Sequence, residues 1–256
     1  MEDTEEPVPN SELDQHFLVD KNVIAKEIGV SNLSKEDKVI EVGAGKGALT
    51  EELARKSKEV LAFEIDERLN VFLDVLEKKH KNLKVIYGNA IKHSWKGYDK
   101  LVSNIPYSFT EPLIKKAIES YIDEMVLIVG ENFKEIVSEN KSKTGILVNL
   151  FFDFEPIAKV NKTSFHPRPR TDSFLISLKR RKNPKKEERI LQGIVMKKGK
   201  IKNAIISSLM DEGMTKKKSK ELTKGMNLHE YVLNKPVGSL TGRVLEQLRI
   251  GLKKIV

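Results

Sequence analysis

Lys38-Val39-Ile40-Glu41-Val42-Gly43-Ala44-Gly45-Lys46-Gly47-Ala48 is the stretch whose reading decides the fold. Its first five residues read as a buried strand. Three glycines within the next five close that strand in a tight turn. From Ala48 to Lys56 the spacing becomes helical, with Leu49, Leu53 and Ala54 on one face. Strand, glycine turn and helix in this order form the first unit of an alternating pattern.

The pattern continues downstream. A second strand, Val60 to Phe63, ends in Glu64-Ile65-Asp66. A helix over about 67–79 follows, striped by Leu69, Phe72, Leu73 and Leu76. The third strand, Leu83 to Tyr87, ends at Gly88-Asn89-Ala90, and the fourth, Lys100 to Ser103, delivers Asn104. Pro112 suits the first turn of a helix over about 111–120, and Glu124 to Val129 forms a fifth strand. Strands and helices alternating at this spacing predict an α/β chain with a parallel, doubly wound sheet. Ligands of such sheets sit beyond the carboxyl ends of the strands, so Gly43, Glu64, Asn89 and Asn104 converge on one crevice.

Upstream, residues 1–10 are acidic, carry Pro7 and Pro9, and are expected to be a disordered tail. Gln15 to Asp20 leads into a helix with Val23, Ile24 and Ile28 on its apolar side and an end at Gly29. Beyond Thr144 the character changes. Ile146 to Phe154 is apolar without a clear period, and Ile157 to Val160 and Phe174 to Leu178 read as strands. Between those strands, Pro167 and Pro169 force an extended loop that either presents Phe165 or anchors it at the loop base. A charged linker around Pro184 leads to helical spacing from Arg189 onward. The expected domains are therefore 11–180 and a small helical one over 186–256.

Composition narrows the function. The 256 residues contain no cysteine, which excludes disulfides, thiolate nucleophiles and iron–sulfur clusters. The five histidines have no metal-ligand spacing, so no metal is expected. No apolar run approaches the roughly 20 residues needed to span a bilayer. A soluble cytoplasmic protein, a monomer without membrane attachment, is the expectation. The net charge is +9, but residues 1–20 hold seven acidic side chains and no basic ones. Residues 179–256 hold 21 lysines and arginines against seven acids, which suits a phosphate-binding surface. A lysine-rich solvated face is the plainer alternative.

Gly43-Ala44-Gly45-Lys46-Gly47-Ala48, with Glu64 about 20 positions on, satisfies a relaxed dinucleotide fingerprint. The glycines let the backbone approach a ligand, and Glu64 can accept both hydroxyls of a ribose. NAD and S-adenosylmethionine both fit, as does a simple tight turn. No Walker A loop is present. Asn104-Ile105-Pro106-Tyr107 separates these readings. Pro106 biases Ile105 toward an extended conformation and so directs the Ile105 carbonyl. That carbonyl and the Asn104 side-chain oxygen can accept the two hydrogens of an exocyclic base amine, while Tyr107 offers a flat ring. Holding both hydrogens favours a pyramidal nitrogen aimed at a methyl donor, so catalysis needs positioning rather than a strong base. The bland alternative is a strand end followed by ordinary Asn-x-Pro turn chemistry.

The sequence resembles the ribosomal RNA adenine N6,N6-dimethyltransferase family through five blocks in the family's order: Gln15 to Asp20, Val39 to Thr50, Glu64 to Asp66, Asn104 to Tyr107 and Phe165 to Ser173. The resemblance covers about residues 15–180, with looser agreement in the helical tail. It implies a Rossmann-like class I methyltransferase domain that uses S-adenosyl-L-methionine on small-subunit rRNA. His16 and Leu18 would touch that cofactor, Gly43 and Gly45 would border its methionine end, Glu64 would take its ribose, and Asn89 its adenine amine. Asn104 would lie between cofactor and target base, and Tyr107 and Phe165 would stack on a flipped base. Asn89 stands where the family has aspartate, Ser108-Phe109-Thr110 follows Tyr107 in place of the usual residues, and Ile146 follows Gly145 where arginine is usual. Apart from Asn89, these departures cluster on the target-base side and the RNA surface. Cytosine N4 methylation, a non-catalytic ribosome-biogenesis factor of the same fold, and an NAD-dependent oxidoreductase are the alternative readings.

Overall fold

The computed structural model describes residues 7–13, 15–106, 109–140 and 142–256, so residues 1–6 of the expected tail lie outside the described residues. After a 3-10 turn, Ser11–Leu13, comes a two-residue strand, β1 (Phe17–Leu18). Helix α1 (Lys21–Val30) starts at Asp20, whose side chain accepts the Asn22 N–H at 2.9 Å, as an aspartate N-cap should. Then come β2 (Lys38–Val42), α2 (Ala48–Lys56), β3 (Glu59–Glu64), α3 (Asn70–Lys79), β4 (Leu83–Tyr87), β5 (Lys100–Asn104), α4 (Thr110–Glu119) and β6 (Glu124–Gly130). The helix expected over 67–79 begins as a 3-10 turn, Glu67–Leu69, because Asp66 caps that turn by accepting the Arg68 N–H at 3.2 Å.

Five strands run parallel in the order β4-β3-β2-β5-β6. From β2 the chain proceeds outward through β3 and β4, then returns to the other side of β2 as β5. The boundary between β2 and β5 is therefore the topological switch point of a doubly wound sheet, where a crevice opens. Its opening has a local cause. The two strands pair in register only at Val39↔Lys100 and Ile40↔Leu101. Beyond that the Ser103 side chain takes over, with Val42 N–H donating to Ser103 Oγ at 3.3 Å and the hydroxyl donating to the Val42 carbonyl. The carboxyl ends thus separate without leaving the Val42 backbone polar groups unpaired.

Downstream lie α5 (Asn132–Glu139), α6 (Lys143–Phe151), β7 (Phe152–Val160), β8 (Phe165–His166) and β9 (Ser173–Arg180). The apolar run Ile146 to Phe154 divides into the end of a buried helix and the start of a strand. β9 runs antiparallel to β6, and β7 follows it at the sheet edge. β8 pairs with β1 across nearly 150 residues of sequence, Phe17↔His166 and Leu18↔Phe165.

The core beside the crevice packs α1 and α2 on one sheet face, with Ile24, Ile28, Leu49 and Leu53 against Val39, Val102 and Val126. Alternate strand residues share a face, so Glu41 follows Val39 onto this side and Asn104 follows Val102.

The chain divides into two compact units, Met1–Lys134 with Phe154–Lys179, and Glu135–Asp153 with Arg180–Val256. The second unit holds α7 (Lys186–Met196), α8 (Ile201–Asp211), α9 (Lys216–Gly225), α10 (Glu230–Asn234) and α11 (Gly242–Ile255). Residues 135–153 join it from the middle of the chain, where the sequence reading draws its boundary at residue 180. Its core is built from helix stripes, with Ile190, Ile194, Ile205, Leu209, Leu248 and Leu252 all fully buried.

Candidate active site

A cavity of about 310 Å3 lies beyond the carboxyl ends of β2, β3, β4 and β5. It brings together His16, Gly43, Gly45, Glu64, Asn89, Asn104, Ile105, Pro106 and Phe165 from the residues singled out in the sequence. Leu18 is not part of the wall. Its side chain is buried in the core, although it pairs with the lining residue Phe165. Tyr107 lies outside the described residues.

The glycine turn and Glu64 form one unit. Gly43 and Gly45 have left-handed φ of +78° and +58°, and a Cβ on Gly45 would stand 3.1 Å from the Phe17 ring. Gly45 N–H donates to Glu64 Oε2 at 2.7 Å, and Ile65 and Asp66 N–H donate to Oε1 at 2.8 and 2.9 Å. Burial raises the Glu64 pKa, and these three backbone donors work against that rise. A second acid, Asp66, extends the grip. Its carboxylate receives the Arg68 fork at 2.8 and 2.7 Å and Gln15 Nε2 at 2.9 Å. Arg68, more than Gln15, brings its pKa down to about 2.

The other walls follow from long-range pairing. His16 Nδ1 lies 2.8 Å from the Pro167 carbonyl, which fixes it as the protonated ring nitrogen, since a carbonyl only accepts. Val19 N–H donates to the Ser164 carbonyl at 2.9 Å, and Ser164 Oγ donates to Asp20 at 3.0 Å. Residues 16–20 and 164–167 thereby zip together. They leave Phe165 in the cavity wall at 6 % exposure, both a core anchor and a lining residue. Asn89 Oδ1 accepts the Ile91 N–H at 3.0 Å and so caps a 3-10 turn, with one lone pair remaining. His93 and Trp95 stand behind the site. His93 packs at a tilt against the lining residue Phe63, with ring centroids 5.4 Å apart, and buried Trp95 donates to the Ala90 carbonyl at 3.2 Å.

Asn104 ends β5 at the switch point. Its side-chain oxygen is buried and has no hydrogen-bond partner among the described residues. Behind it lie two acids that the sequence reading missed, Glu27 of α1 and Glu41 of β2, at 0 % and 1 % exposure. Loss of solvent pushes Glu27 up to about 8. Glu41 is raised well above its ordinary value by burial, and further by the Glu27 and Glu64 charges.

Residues 9–244 match the model of a family described as ribosomal RNA adenine dimethylase. The chain belongs to that family. Among its relatives in the ribosomal RNA adenine dimethylases, a probable ribosomal RNA small subunit methyltransferase A of Methanococcus maripaludis is 33 % identical over 227 residues, spanning 83 % of this chain and 86 % of the relative. A protein of the same name from Methanococcus aeolicus is 29 % identical, over 96 % of this chain and 97 % of its own. A crystallised dimethyladenosine transferase from Plasmodium falciparum superimposes with a TM-score of 0.63 at 25 % identity, covering 93 % of this chain and 98 % of that one. The 23S rRNA methyltransferase ErmE has the same fold, with a TM-score of 0.63 at 22 % identity over 93 % of this chain and 99 % of its own. The chain thus has the α/β architecture of a class I methyltransferase, as the sequence predicts. Among the described residues no helix is long and apolar enough to cross a membrane, and no group of three or more His, Asp or Glu side chains suits a metal ion.

Proposed function

We propose that this protein is an S-adenosylmethionine-dependent methyltransferase that dimethylates adenine N6 in small-subunit rRNA. The observation that carries the reading is the single cavity that unites the Gly45–Glu64 pair with Asn104-Ile105-Pro106. The residues present suit the cofactor. Glycines with left-handed φ leave room for a methionine moiety, the Glu64 carboxylate suits ribose hydroxyls, and Asn89 retains an acceptor for an adenine amine. S-adenosylmethionine supplies an activated methyl group on a sulfonium centre.

The protein's own part is positioning. Asn104 contributes a buried oxygen lacking a donor, the kind of unmet acceptor that a base amine satisfies. Pro106 stiffens the backbone that bears the second acceptor, the Ile105 carbonyl. Phe165 and Tyr107 are assigned to the faces of the extruded base. Exposed Lys198, Lys202, Lys216, Lys217 and Lys218 on the helical unit are assigned to RNA phosphates. Lys197 is instead paired with Asp211 at 2.6 Å. The names of the archaeal relatives support the small subunit as substrate, and that of the Plasmodium enzyme supports dimethyladenosine as product.

The test is incubation of the purified protein with small-subunit particles and labelled cofactor, followed by mass spectrometry of the digested nucleosides. N6,N6-dimethyladenosine is the expected product. Label in N4-methylcytidine would overturn the choice of base. Tight particle binding without any label would make the protein an assembly factor.

A further inference from the structure

Glu27 occupies the underside of α1, over the sheet face that bears Glu41 and Asn104. It is fully buried, and neither of its carboxyl oxygens has a hydrogen-bond partner among the described residues. A carboxyl group in such a place loses its hydration and gains nothing in exchange. A leucine of similar volume would suit the surroundings better, since Ile24 and Ile28 on the same helix already pack into the core. Packing alone therefore gives no reason for an acid here.

The helix that carries Glu27 is fixed at both ends. Asp20 ties its start to Ser164 at 3.0 Å. Lys100 Nζ donates to the Ser31 and Asn32 carbonyls beyond its end, both at 3.0 Å, and Ser31 Oγ donates to the Glu27 carbonyl at 2.7 Å. The side chain is thus aimed by a clamped backbone, and two polar side chains neighbour it, the Asn104 amide, short of hydrogen-bond geometry, and the Glu41 carboxyl group.

We propose that Glu27 is a positioning residue for Asn104, accepting its amide NH2 and thereby presenting its carbonyl oxygen to the target base amine. The proposal rests on the reading of Asn104 as the amine acceptor. A primary amide can offer either end to a ligand, and the wrong end would set NH2 against NH2. The carbonyl oxygen of the Glu27 carboxyl group, which keeps its proton near neutral pH, accepts and cannot donate, so it favours the NH2 end of the amide toward Glu27. Only a small closing movement is needed, of the kind by which catalytic hydrogen bonds tighten when substrate binds.

Two variants of the full chain test this. Glu27→Leu keeps volume and removes the acceptor, whereas Glu27→Gln keeps one carbonyl oxygen. With small-subunit particles as substrate, Glu27→Leu should lower kcat by about 10- to 100-fold, the scale of a misplaced catalytic group. Its dissociation constant for S-adenosylmethionine should stay within about twofold of wild type, and its melting temperature should not fall. Glu27→Gln should recover most of the lost kcat. Wild-type kcat in Glu27→Leu would overturn the proposal. So would a loss of cofactor affinity in step with kcat, because the site as a whole would then have been disturbed. A wild-type chain that transfers no methyl group would instead remove the functional reading on which the proposal rests.

Discussion

Gly45 N–H donates to Glu64 Oε2 at 2.7 Å, which locks the turn after β2 to the carboxyl end of β3. Both residues line the cavity, so the bond shapes the wall that the cofactor is proposed to meet. Replacing Glu64 with Gln exchanges one acceptor for an NH2 group that must face backbone donors. Hydrogen bonds to a charged group are worth about 1.5–3 kcal/mol, so S-adenosylmethionine affinity should fall about 10- to 100-fold. Isothermal titration of the variant measures this. Unchanged affinity would remove Glu64 from the cofactor site.

The buried acids make stability depend on pH. Burial lifts Glu27 from the ordinary 4.5 to about 8, so the folded chain holds this proton through a range in which the unfolded chain has lost it. Its contribution is most favourable below about pH 4.5 and is lost as pH rises toward about 8. Glu41 beside it is raised too, chiefly by its own burial, so wild type and variant share most of that part of the decline. In Glu27→Leu the Glu27 part disappears. The stability gap between variant and wild type should widen from pH 5 to pH 8, reaching on the order of 1–3 kcal/mol. Urea titrations at several pH values check it. Parallel curves would show that Glu27 does not titrate in this window.

The helical unit carries Lys216, Lys217 and Lys218 in the first turn of α9 and no acid there. Cations at a helix N-terminus oppose the helix dipole, a cost that bound phosphate would offset. RNA affinity should therefore fall steeply between about 50 and 200 mM salt, with a slope reduced in a triple Lys→Gln variant. Filter binding across salt concentrations measures both slopes. A flat response would leave these lysines as a solvated face.

Much of this architecture is legible in the sequence because the sheet is parallel and buried. Strands such as Lys38–Val42 and Glu124–Gly130 appear as apolar runs, and the glycine turn marks where the first of them ends. The run Ile146 to Phe154 is not legible, since a helix buried on nearly every side has no polar stripe to reveal its period, and it passes into β7 without a turn residue. Glu27 escapes notice for a related reason. An acid among lysines on an amphipathic helix reads as solvent-facing, and only the packing of α1 on the sheet shows it turned inward. Phe17 and Leu18 are a further case, since only the packing shows that Phe17 lines the cavity while Leu18 is buried in the core.

The central claim is that Asn104 acts on the base amine and not on the cofactor, and Asn104→Ala tests it most directly. The variant should bind S-adenosylmethionine within a few-fold of wild type by titration. Its methyl transfer to small-subunit particles should fall by about 10²–10³-fold, the effect of removing one preorganised polar group from a reacting centre. Methyl transfer at the wild-type rate in Asn104→Ala would contradict the account.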